Sequence, residues 1–209
     1  MVKKIVILGP ESTGKSTLSE QLAERYHTVW VPEYARAYLL EHGMNYSYQD
    51  LLTIAKGQLA LEDKYLDELR SLTINRSPPA YRTGRLTTRL PDRQAHHLPT
   101  GQAGSPLFID TNMYVMKVWC EFVFGKSHDW ILHQIVQRQY DLYLLCNSDL
   151  PWIKDELREY PDLESRQKLF HIYKDILINQ PVPWAEISGS YEQRFVKAVT
   201  AVDDLLAAQ

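Results

Sequence analysis

IVILGPESTGKSTL, residues 5–18, is the stretch of this sequence that decides its fold. Within it, Gly9, Gly14, Lys15 and Ser16 satisfy the pattern G-x-x-x-x-G-K-[ST], the P-loop that binds nucleotide phosphates. The pattern predicts a strand that enters a glycine-rich turn and leaves it as a helix. It also raises a question that the loop cannot answer, because water, a protein, a nucleic acid and a small hydroxyl compound can all accept a phosphoryl group.

The residues on either side of the loop have the pattern that the motif requires. Before it, VKKIVIL at residues 2–8 is a short β-branched run typical of a buried parallel strand. After it, Leu18, Leu22 and Tyr26 recur at helical spacing. A helix that begins at the loop directs backbone N–H groups towards phosphate, and Mg²⁺ would lie at the serine hydroxyl. The predicted ligands are therefore a nucleoside triphosphate and Mg²⁺, with these nucleotide-binding residues: Gly9, Pro10, Glu11, Ser12, Thr13, Gly14, Lys15, Ser16 and Thr17.

Composition limits the classes of protein to which the chain can belong. Its 209 residues, 44% of them hydrophobic, suit one domain with a buried core. A formal net charge of −3 argues against nucleic-acid binding as the main function. Cys120 and Cys146 have no metal-binding spacing and are predicted to be reduced core thiols. No signal peptide precedes the first strand and no apolar run reaches the roughly 18 residues of a membrane span, so we expect a soluble, cytoplasmic protein. A homo-oligomer is compatible with the sequence.

Further along the chain, short apolar runs alternate with segments of helical periodicity. Strands are predicted at residues 28–31, at residues 107–110, within YDLYLLCN (140–147) and within VPWAEISG (182–189). Helices are predicted at residues 34–42, 47–72 with Ser47 as N-cap, 113–124, around 130–137, on both sides of a break at Pro161, and at 190–208. This alternation predicts one α/β domain over residues 1–209, with a parallel sheet covered by helices on both faces.

Residues 73–105 depart from this alternation. The segment has no periodicity, is rich in Pro, Gly and Arg, and contains Asp92 as its one acidic residue. A stretch of this length without structure is unusual inside a compact domain, so we predict a disordered or loosely held insert. Its arginines can contact a phosphate or an acidic partner, or can be simply solvated: Arg76, Arg82, Arg85, Arg89 and Arg93.

Polar residues at the ends of predicted strands are the candidates for the acceptor site, because ligands of open α/β sheets bind beyond the carboxyl ends of the strands. Glu33, in WVPEYAR, can accept a proton from a substrate hydroxyl that attacks the terminal phosphate. Arg36 can hold that carboxylate or a substrate oxygen, although an ordinary surface Glu–Arg pair at i,i+3 explains the spacing equally well.

A second candidate is Asp110, where the apolar run LFID ends. A carboxylate in this position matches the Walker-B arrangement, in which an acid meets Mg²⁺ directly or through water. Thr111 and Asn112 would face the same cleft. The alternative is an aspartate that only caps the next helix.

The third candidate lies after the fourth strand, where Arg158 and Arg166 stand on either side of Pro161. We predict a hinged basic lid at about residues 151–168, which would supply positive charge to the transferring phosphoryl group and exclude water. A solvated helix face is the alternative for this segment. Together, the loop, the two acids and the lid favour a small-molecule kinase. A Ras-like GTPase is disfavoured, because CNSD at residues 146–149 lacks the lysine of its base-reading motif.

Six segments taken together resemble one family: GPESTGKSTL, PEYAR, the Gly57-Gln58 pair, FIDTN, the lid arginines and VPWAEISGSYEQRF. They are similar to the ribosylnicotinamide kinase domains of NadR-type proteins, in the AAA_28 group of P-loop NTPases. The resemblance covers nearly the whole chain apart from residues 73–105. It implies a three-layer, nucleoside-kinase-like fold with five parallel strands in the order 2-3-1-4-5.

The same resemblance implies ATP-dependent phosphorylation of the 5′-hydroxyl of nicotinamide riboside, which gives nicotinamide mononucleotide. Lys15, Glu33, Asp110, Arg158 and Arg166 would be the catalytic residues, and Ser16 and Asp110 the metal ligands. Ser188 to Tyr191 would lie near the adenine. Substrate-binding residues would be Glu33, Tyr34, Arg36, Gln58, Asp110 and Asn112.

Two differences from NadR-type proteins affect these expectations. No H-x-G-H signature of nucleotidyltransferases precedes the P-loop, so we expect this chain to make the mononucleotide without converting it to NAD. Such domains can also carry an aromatic residue immediately before the E-Y motif, where this chain has Pro32. An aromatic residue that stacks on the substrate would then be Tyr34, Tyr114 or Trp119, although KVWCEFVF favours core packing for the tryptophan.

Two other functions remain open at this level. One is a kinase for another nucleoside or a sugar-like metabolite, because the residues do not specify the acceptor or distinguish ATP from GTP. The other is a regulatory P-loop ATPase whose output is a contact with a protein partner, made through the basic insert.

Overall fold

The computed structural model describes residues 2–74 and 106–208. The predicted insert lies outside the described residues except for residues 73 and 74, which end a helix. None of the helices in the described ranges is both long and apolar enough to cross a bilayer.

Five strands form one parallel sheet. They are β1 (Lys4–Leu8), β2 (Trp30–Val31), β3 (Leu107–Asp110), β4 (Leu142–Cys146) and β5 (Trp184–Ile187). Their order is β2-β3-β1-β4-β5, which confirms the expected arrangement. β2 is shorter than predicted because the amide of Thr28 instead bonds to the carbonyl of Ala23, at the end of the first helix.

Seven helices are present in the described part of the chain. They are α1 (Lys15–Arg25), α2 (Tyr34–His42), α3 (Tyr48–Ile74), α4 (Met113–Phe124), α5 (Asp129–Gln137), α6 (Leu163–Ile178) and α7 (Tyr191–Ala207). The Ser47 hydroxyl accepts from the amide of Asp50, so the predicted N-cap of α3 is confirmed.

A short helix predicted between Leu150 and Pro161 is wrong. Residues 151–162, here called the lid segment, contain only a turn and bends before α6 begins. Proline at both 151 and 161 disfavours a helix in so short a segment. Side chains of the P-loop, described below, also accept hydrogen bonds from several lid amides, and these replace the bonds of a helix.

The strands are apolar on both faces, as a sheet between two helical layers requires. On one side, Val6 and Leu8 pack with residues of α3, α4 and α6. On the other side, Ile5 and Ile7 pack with residues of α1 and α7. A third cluster joins α2, α3, α4 and α5 beyond the sheet. The three-layer architecture is confirmed, and the carboxyl ends of all five strands share one edge of the sheet.

Candidate active site

A cavity of about 430 Å³ opens at this edge. The P-loop, the start of α2, part of α4, the lid segment and part of α6 form its walls. Several of the predicted residues line it: Gly9, Pro10, Glu11, Ser12, Thr13, Gly14, Lys15, Ser16, Thr17, Glu33, Arg36 and Arg158.

The P-loop takes the conformation that its glycines permit. Gly9 has φ +142°, and a Cβ atom there would lie 2.5 Å from the carbonyl oxygen of Cys146, so a side chain does not fit. Gly14, at φ +76°, is the residue before α1. The first amides of α1 therefore face the cavity without intrahelical partners, as an anion site requires. Lys15 Nζ donates to the carbonyl of Pro10 at 2.9 Å, which folds its ammonium back over the loop.

Asp110 and Ser16 meet at the base of this loop. Ser16 Oγ donates to Asp110 Oδ2 at 2.5 Å. The carboxylate is fully buried, and its Oδ1 has no hydrogen-bond partner among the described residues. Burial, followed by the nearby charge of Glu33, raises the pKa of Asp110 to about 7. An unpartnered carboxylate oxygen beside a hydroxyl fits Mg²⁺, which often takes few protein ligands and completes its shell with water and phosphate.

Glu33 is separated from the end of β2 by Pro32 alone and directly precedes the first residue of α2. Its Oε1 accepts from Thr111 Oγ1 at 3.5 Å, which ties the ends of β2 and β3 together. Thr111 has φ +81°, an unfavourable conformation for a β-branched residue. Strained backbone of this kind is concentrated at functional sites, and here it accompanies a hydroxyl that reaches the Glu33 carboxylate. The sequence carried no signal for this strain.

Arg36 does not pair with Glu33, contrary to one of our expectations. Its Nη2 forms an ion pair with Asp155 Oδ2 at 3.0 Å, which joins α2 to the lid segment. The local i,i+3 pair is absent because the tertiary structure brings a lid carboxylate to the guanidinium. Arg36 still lines the cavity and remains available to a substrate oxygen.

Three predicted substrate-binding residues do not line the cavity but support the surrounding backbone. Gln58 is buried, accepts from the amide of Tyr34 at 2.7 Å and donates to the carbonyls of Pro32 and Asp110. Asn112 is also buried, and its side chain caps α4 by accepting from the amide of Tyr114. The ring of Tyr34 lies against Gly57, where a Cβ atom would come within 2.2 Å of it.

The lid segment is docked on the P-loop by two loop side chains. The Glu11 carboxylate accepts from the amides of both Glu159 and Tyr160. The Ser12 hydroxyl accepts from the amide of Ile153 at 3.0 Å and from Arg158 Nη1 at 3.3 Å. Arg158 is thereby held in the cavity wall beside the phosphate-binding loop.

Arg166 has a different environment from Arg158. It lies in the first turn of α6, is buried, and donates to the carbonyl of Leu150 at 3.2 Å. Leu150 in turn packs near Gly14. Arg166 itself does not line the cavity, and its Nε has no hydrogen-bond partner among the described residues.

Of the two predicted adenine-side residues, Tyr191 lies beside α1. The Tyr191 ring is 3.5 Å from where a Cβ atom of Gly14 would be, and it forms a groove with residues of α1 and α7. The Ser188 hydroxyl accepts from Lys197 at 2.8 Å. Neither residue lines the main cavity.

Sequence reasoning missed the residue that ties these loops together. Arg194, in the first turn of α7, is buried and donates to the carbonyls of Thr13, Asn147 and Gly189. It also pairs with Asp149, which accepts from the amide of Gly189. A single arginine near a helix start has no distinctive pattern, so only the fold reveals that it holds the P-loop against the ends of β4 and β5.

An aromatic wall forms another part of the cavity lining. Trp119 and Phe122 of α4 and Tyr160 of the lid segment line it. Trp119 also packs in the outer cluster, so the expectation of core packing is half right. Its Nε1 donates at 2.9 Å to the hydroxyl of Tyr46. Tyr114, by contrast, packs against Tyr143 and does not line the cavity.

Comparisons with known proteins agree with this geometry. The chain is 24% identical to the trifunctional NAD biosynthesis/regulator protein NadR of Salmonella typhimurium over 213 aligned positions, and equally to that of Escherichia coli. Each alignment covers 100% of this chain and 44% of the relative, so the chain spans less than half of their length.

Solved structures with the same fold include NadR protein in complex with NR, with a TM-score of 0.68 at 20% identity over 100% of this chain and 50% of that one. Another is thymidylate kinase from Ehrlichia chaffeensis, with a TM-score of 0.57 at 13% identity, covering 96% of this chain and 98% of that one. At these identities the likeness establishes the fold alone.

The family model described as AAA domain, AAA_28, matches residues 4–194. This range runs from β1 to Arg194 and includes the P-loop, both strand-end acids and the lid segment. The chain therefore belongs to the AAA_28 family, as a P-loop NTPase domain similar to NadR.

Proposed function

We propose that the chain is a kinase that transfers the γ-phosphoryl group of ATP to the 5′-hydroxyl of nicotinamide riboside. The observation that carries the proposal is the position of Glu33 in the wall of the same cavity as Lys15 and Ser16, with Asp110 bonded to that serine. A carboxylate so placed can accept the proton of an attacking hydroxyl. The NAD-biosynthesis role in the name of NadR, and its solved complex with NR, support the choice of acceptor.

The polar residues in and around the cavity then have distinct roles in the transfer. The P-loop amides and Lys15 bind the phosphates, and Glu33 takes the hydroxyl proton as the acceptor oxygen bonds to phosphorus and the bond to the ADP oxygen breaks. Arg158 faces the charge that develops on the equatorial oxygens. Ser16 and Asp110 would hold Mg²⁺, which supplies charge neutralisation at the phosphates. Arg166, which holds the carbonyl of Leu150, is proposed to act with Arg158 once nucleotide is bound.

The surroundings of the cavity indicate where the adenine of ATP and the ring of the acceptor would bind. Tyr191 lies beside Gly14 of the P-loop, and we place the adenine there, near Ser188 to Tyr191. The aromatic wall of the cavity is where a flat heterocycle can stack. A nucleoside bound there would present its ribose towards Glu33.

ADP release with nicotinamide riboside, compared with a panel of ribo- and deoxyribonucleosides, tests the proposal. We expect stimulation by nicotinamide riboside, its loss in Lys15→Ala, and a fall in kcat of about 10²–10⁴-fold in Glu33→Gln, the usual contribution of a general base. Glu41→Gln is the matched control, because Glu41 is an exposed acid of the same helix that does not line the cavity.

Other results would redirect the assignment. Stimulation by a different nucleoside would retain the kinase mechanism and discard this acceptor. Equal ATP turnover with and without every nucleoside, unchanged in Glu33→Gln, would favour the regulatory ATPase instead.

A further inference from the structure

A chain of three side chains connects the aromatic wall to the lid segment. Trp119 Nε1 donates to the Tyr46 hydroxyl at 2.9 Å, and that hydroxyl donates to Glu159 Oε2 at 2.8 Å. Trp119 and Glu159 both line the cavity. An indole and a carboxylate are therefore held side by side in its wall by one tyrosine, which belongs to neither element.

The backbone at Glu159 is held by hydrogen bonds, as its side chain is. Its amide donates to Glu11 Oε2 at 3.0 Å, and the amide of Tyr160 donates to the other oxygen of the same carboxylate. The Glu159 carboxylate therefore reaches the aromatic wall when the lid segment is docked on the P-loop.

The charge of Glu159 is not neutralised by a basic side chain in the described ranges. Its Oε1 has no hydrogen bond there, and Arg158, its neighbour, bonds to Ser12 and to the carbonyl of Ile153. Burial, with a smaller contribution from Glu11, raises the pKa of Glu159, and the bond from Tyr46 opposes the rise. Glu159 is nevertheless exposed as a residue, so a cation in the cavity can approach its carboxylate and gain direct charge attraction.

The carboxylate of Glu159 and the aromatic ring of Trp119 together favour one chemical class of ligand. An aromatic ring attracts a cation through its quadrupole, and an adjacent carboxylate adds direct charge attraction. A neutral heterocycle would gain only from stacking. The pair suits a flat ring with a permanent positive charge, such as an N-substituted pyridinium.

We infer that Glu159 is the specificity-determining residue that selects a positively charged ring in the acceptor, with Trp119 as its aromatic partner. This inference rests on the proposed function, since it concerns the acceptor of the same reaction. It assigns to the lid segment a role in choosing the acceptor, beyond that of carrying Arg158.

Calorimetric binding of two isosteric nucleosides tests the inference. Nicotinamide riboside has a cationic ring, and 3-carbamoylphenyl riboside has the same shape and carboxamide with a neutral ring. Both are titrated into the protein with Mg²⁺ and a non-hydrolysable ATP analogue. Glu159→Gln keeps an acceptor for Tyr46 and removes only the charge, and Glu156→Gln is the control, an exposed lid acid that does not line the cavity.

We expect wild-type protein to bind the cationic nucleoside more tightly. Glu159→Gln should raise its Kd about tenfold and change that of the neutral isostere less than twofold, as expected for the loss of one close charge pair. Glu156→Gln should leave both values within twofold of the wild type.

Three results would overturn the inference: equal weakening of both ligands, no change in either, or no binding of either to the wild type. Phosphoryl transfer, measured separately on the same samples, tests the proposed function. Charge-selective binding that depends on Glu159 but leads to no transfer would refute the kinase assignment while the charge recognition stands.

Discussion

Gly57 shows how one missing side chain shapes the site. It lies inside α3, where glycine is normally unfavourable, yet the Tyr34 ring occupies the space of its Cβ atom. Gln58, the next residue, binds the backbone at Tyr34, directly after Glu33. The Gly57-Gln58 pair therefore holds the first turn of α2 against α3, which positions the proposed base.

The substitution Gly57→Ala should have the opposite effect on stability from that of most Gly→Ala changes inside helices. Alanine in a helix interior normally stabilises by about 1 kcal/mol relative to glycine. Here the clash with Tyr34 should instead destabilise by about 1–3 kcal/mol, the usual cost of overpacking. Urea unfolding measures the change, and the Tyr34→Ala background is the control: without the ring, Gly57→Ala should stabilise. Stabilisation in both backgrounds would show that the ring moves aside freely.

Among the structural elements, the lid segment has the least regular backbone and the clearest dependence on the P-loop. It has no helical hydrogen-bond ladder, and three of its amides bond to Glu11 and Ser12. The ion pair between Arg36 and Asp155 also joins the lid segment to α2. This ion pair is substantially exposed and contributes little, so the two bonds to Glu11 should dominate the docking.

Replacement of Glu11 should therefore loosen the lid segment without unfolding the domain. In Glu11→Ala, hydrogen exchange at the amides of Glu159 and Tyr160 should accelerate at least about tenfold, because hydrogen bonds to a charged group are each worth about 1.5–3 kcal/mol before discounting for exposure. Amides of β1 should keep their wild-type protection. Glu20→Ala, an exposed acid on α1, serves as the control. Unchanged exchange in the lid segment would mean that other contacts dock it.

Across the whole molecule, α3 is fastened to the sheet by a buried acid. Glu62 is fully buried and meets Lys4 of β1 at 3.3 Å and Arg138 at 3.5 Å. The Tyr140 hydroxyl donates to its other oxygen at 2.9 Å. These contacts link α3 to two distant parts of the chain, the first strand and the segment that enters β4. The cluster contributes to the assembly of the domain rather than to the cavity.

Loss of this acid should lower global stability and leave the site intact. Glu62→Ala removes the buried partner of Lys4 and leaves Arg138 paired with Asp63 alone, so it should reduce the free energy of unfolding by about 1.5–3 kcal/mol. Asp67→Asn breaks an exposed pair with Arg70 on the same helix and should cost about 0–1 kcal/mol. Urea denaturation compares the two variants. A cost for Glu62→Ala no larger than that for Asp67→Asn would contradict the role of the cluster.

Local patterns were sufficient for most of the fold. β3 and α4 lie at their predicted bounds because apolar runs and helical periodicity report burial directly, and the P-loop pattern implies its strand–turn–helix context. The short helix predicted in the lid segment was wrong because the amides there bond to Glu11 and Ser12, more than 140 positions away in the chain. The periodicity of a sequence does not reveal hydrogen-bond partners that lie so far apart in the chain.

The sequence by itself determined the parallel three-layer fold, the phosphate-binding loop and the identities of the strand-end acids Glu33 and Asp110. Only the tertiary structure decided which of the other polar residues line the cavity and which brace it. The side chains of Gln58 and Asn112 are buried and bond to backbone groups. Arg36 pairs with Asp155. Trp119 and Glu159 are connected through the hydroxyl of Tyr46. The physical reason is that a buried polar group must find a partner, and a partner distant in the chain becomes a neighbour only when the sheet assembles.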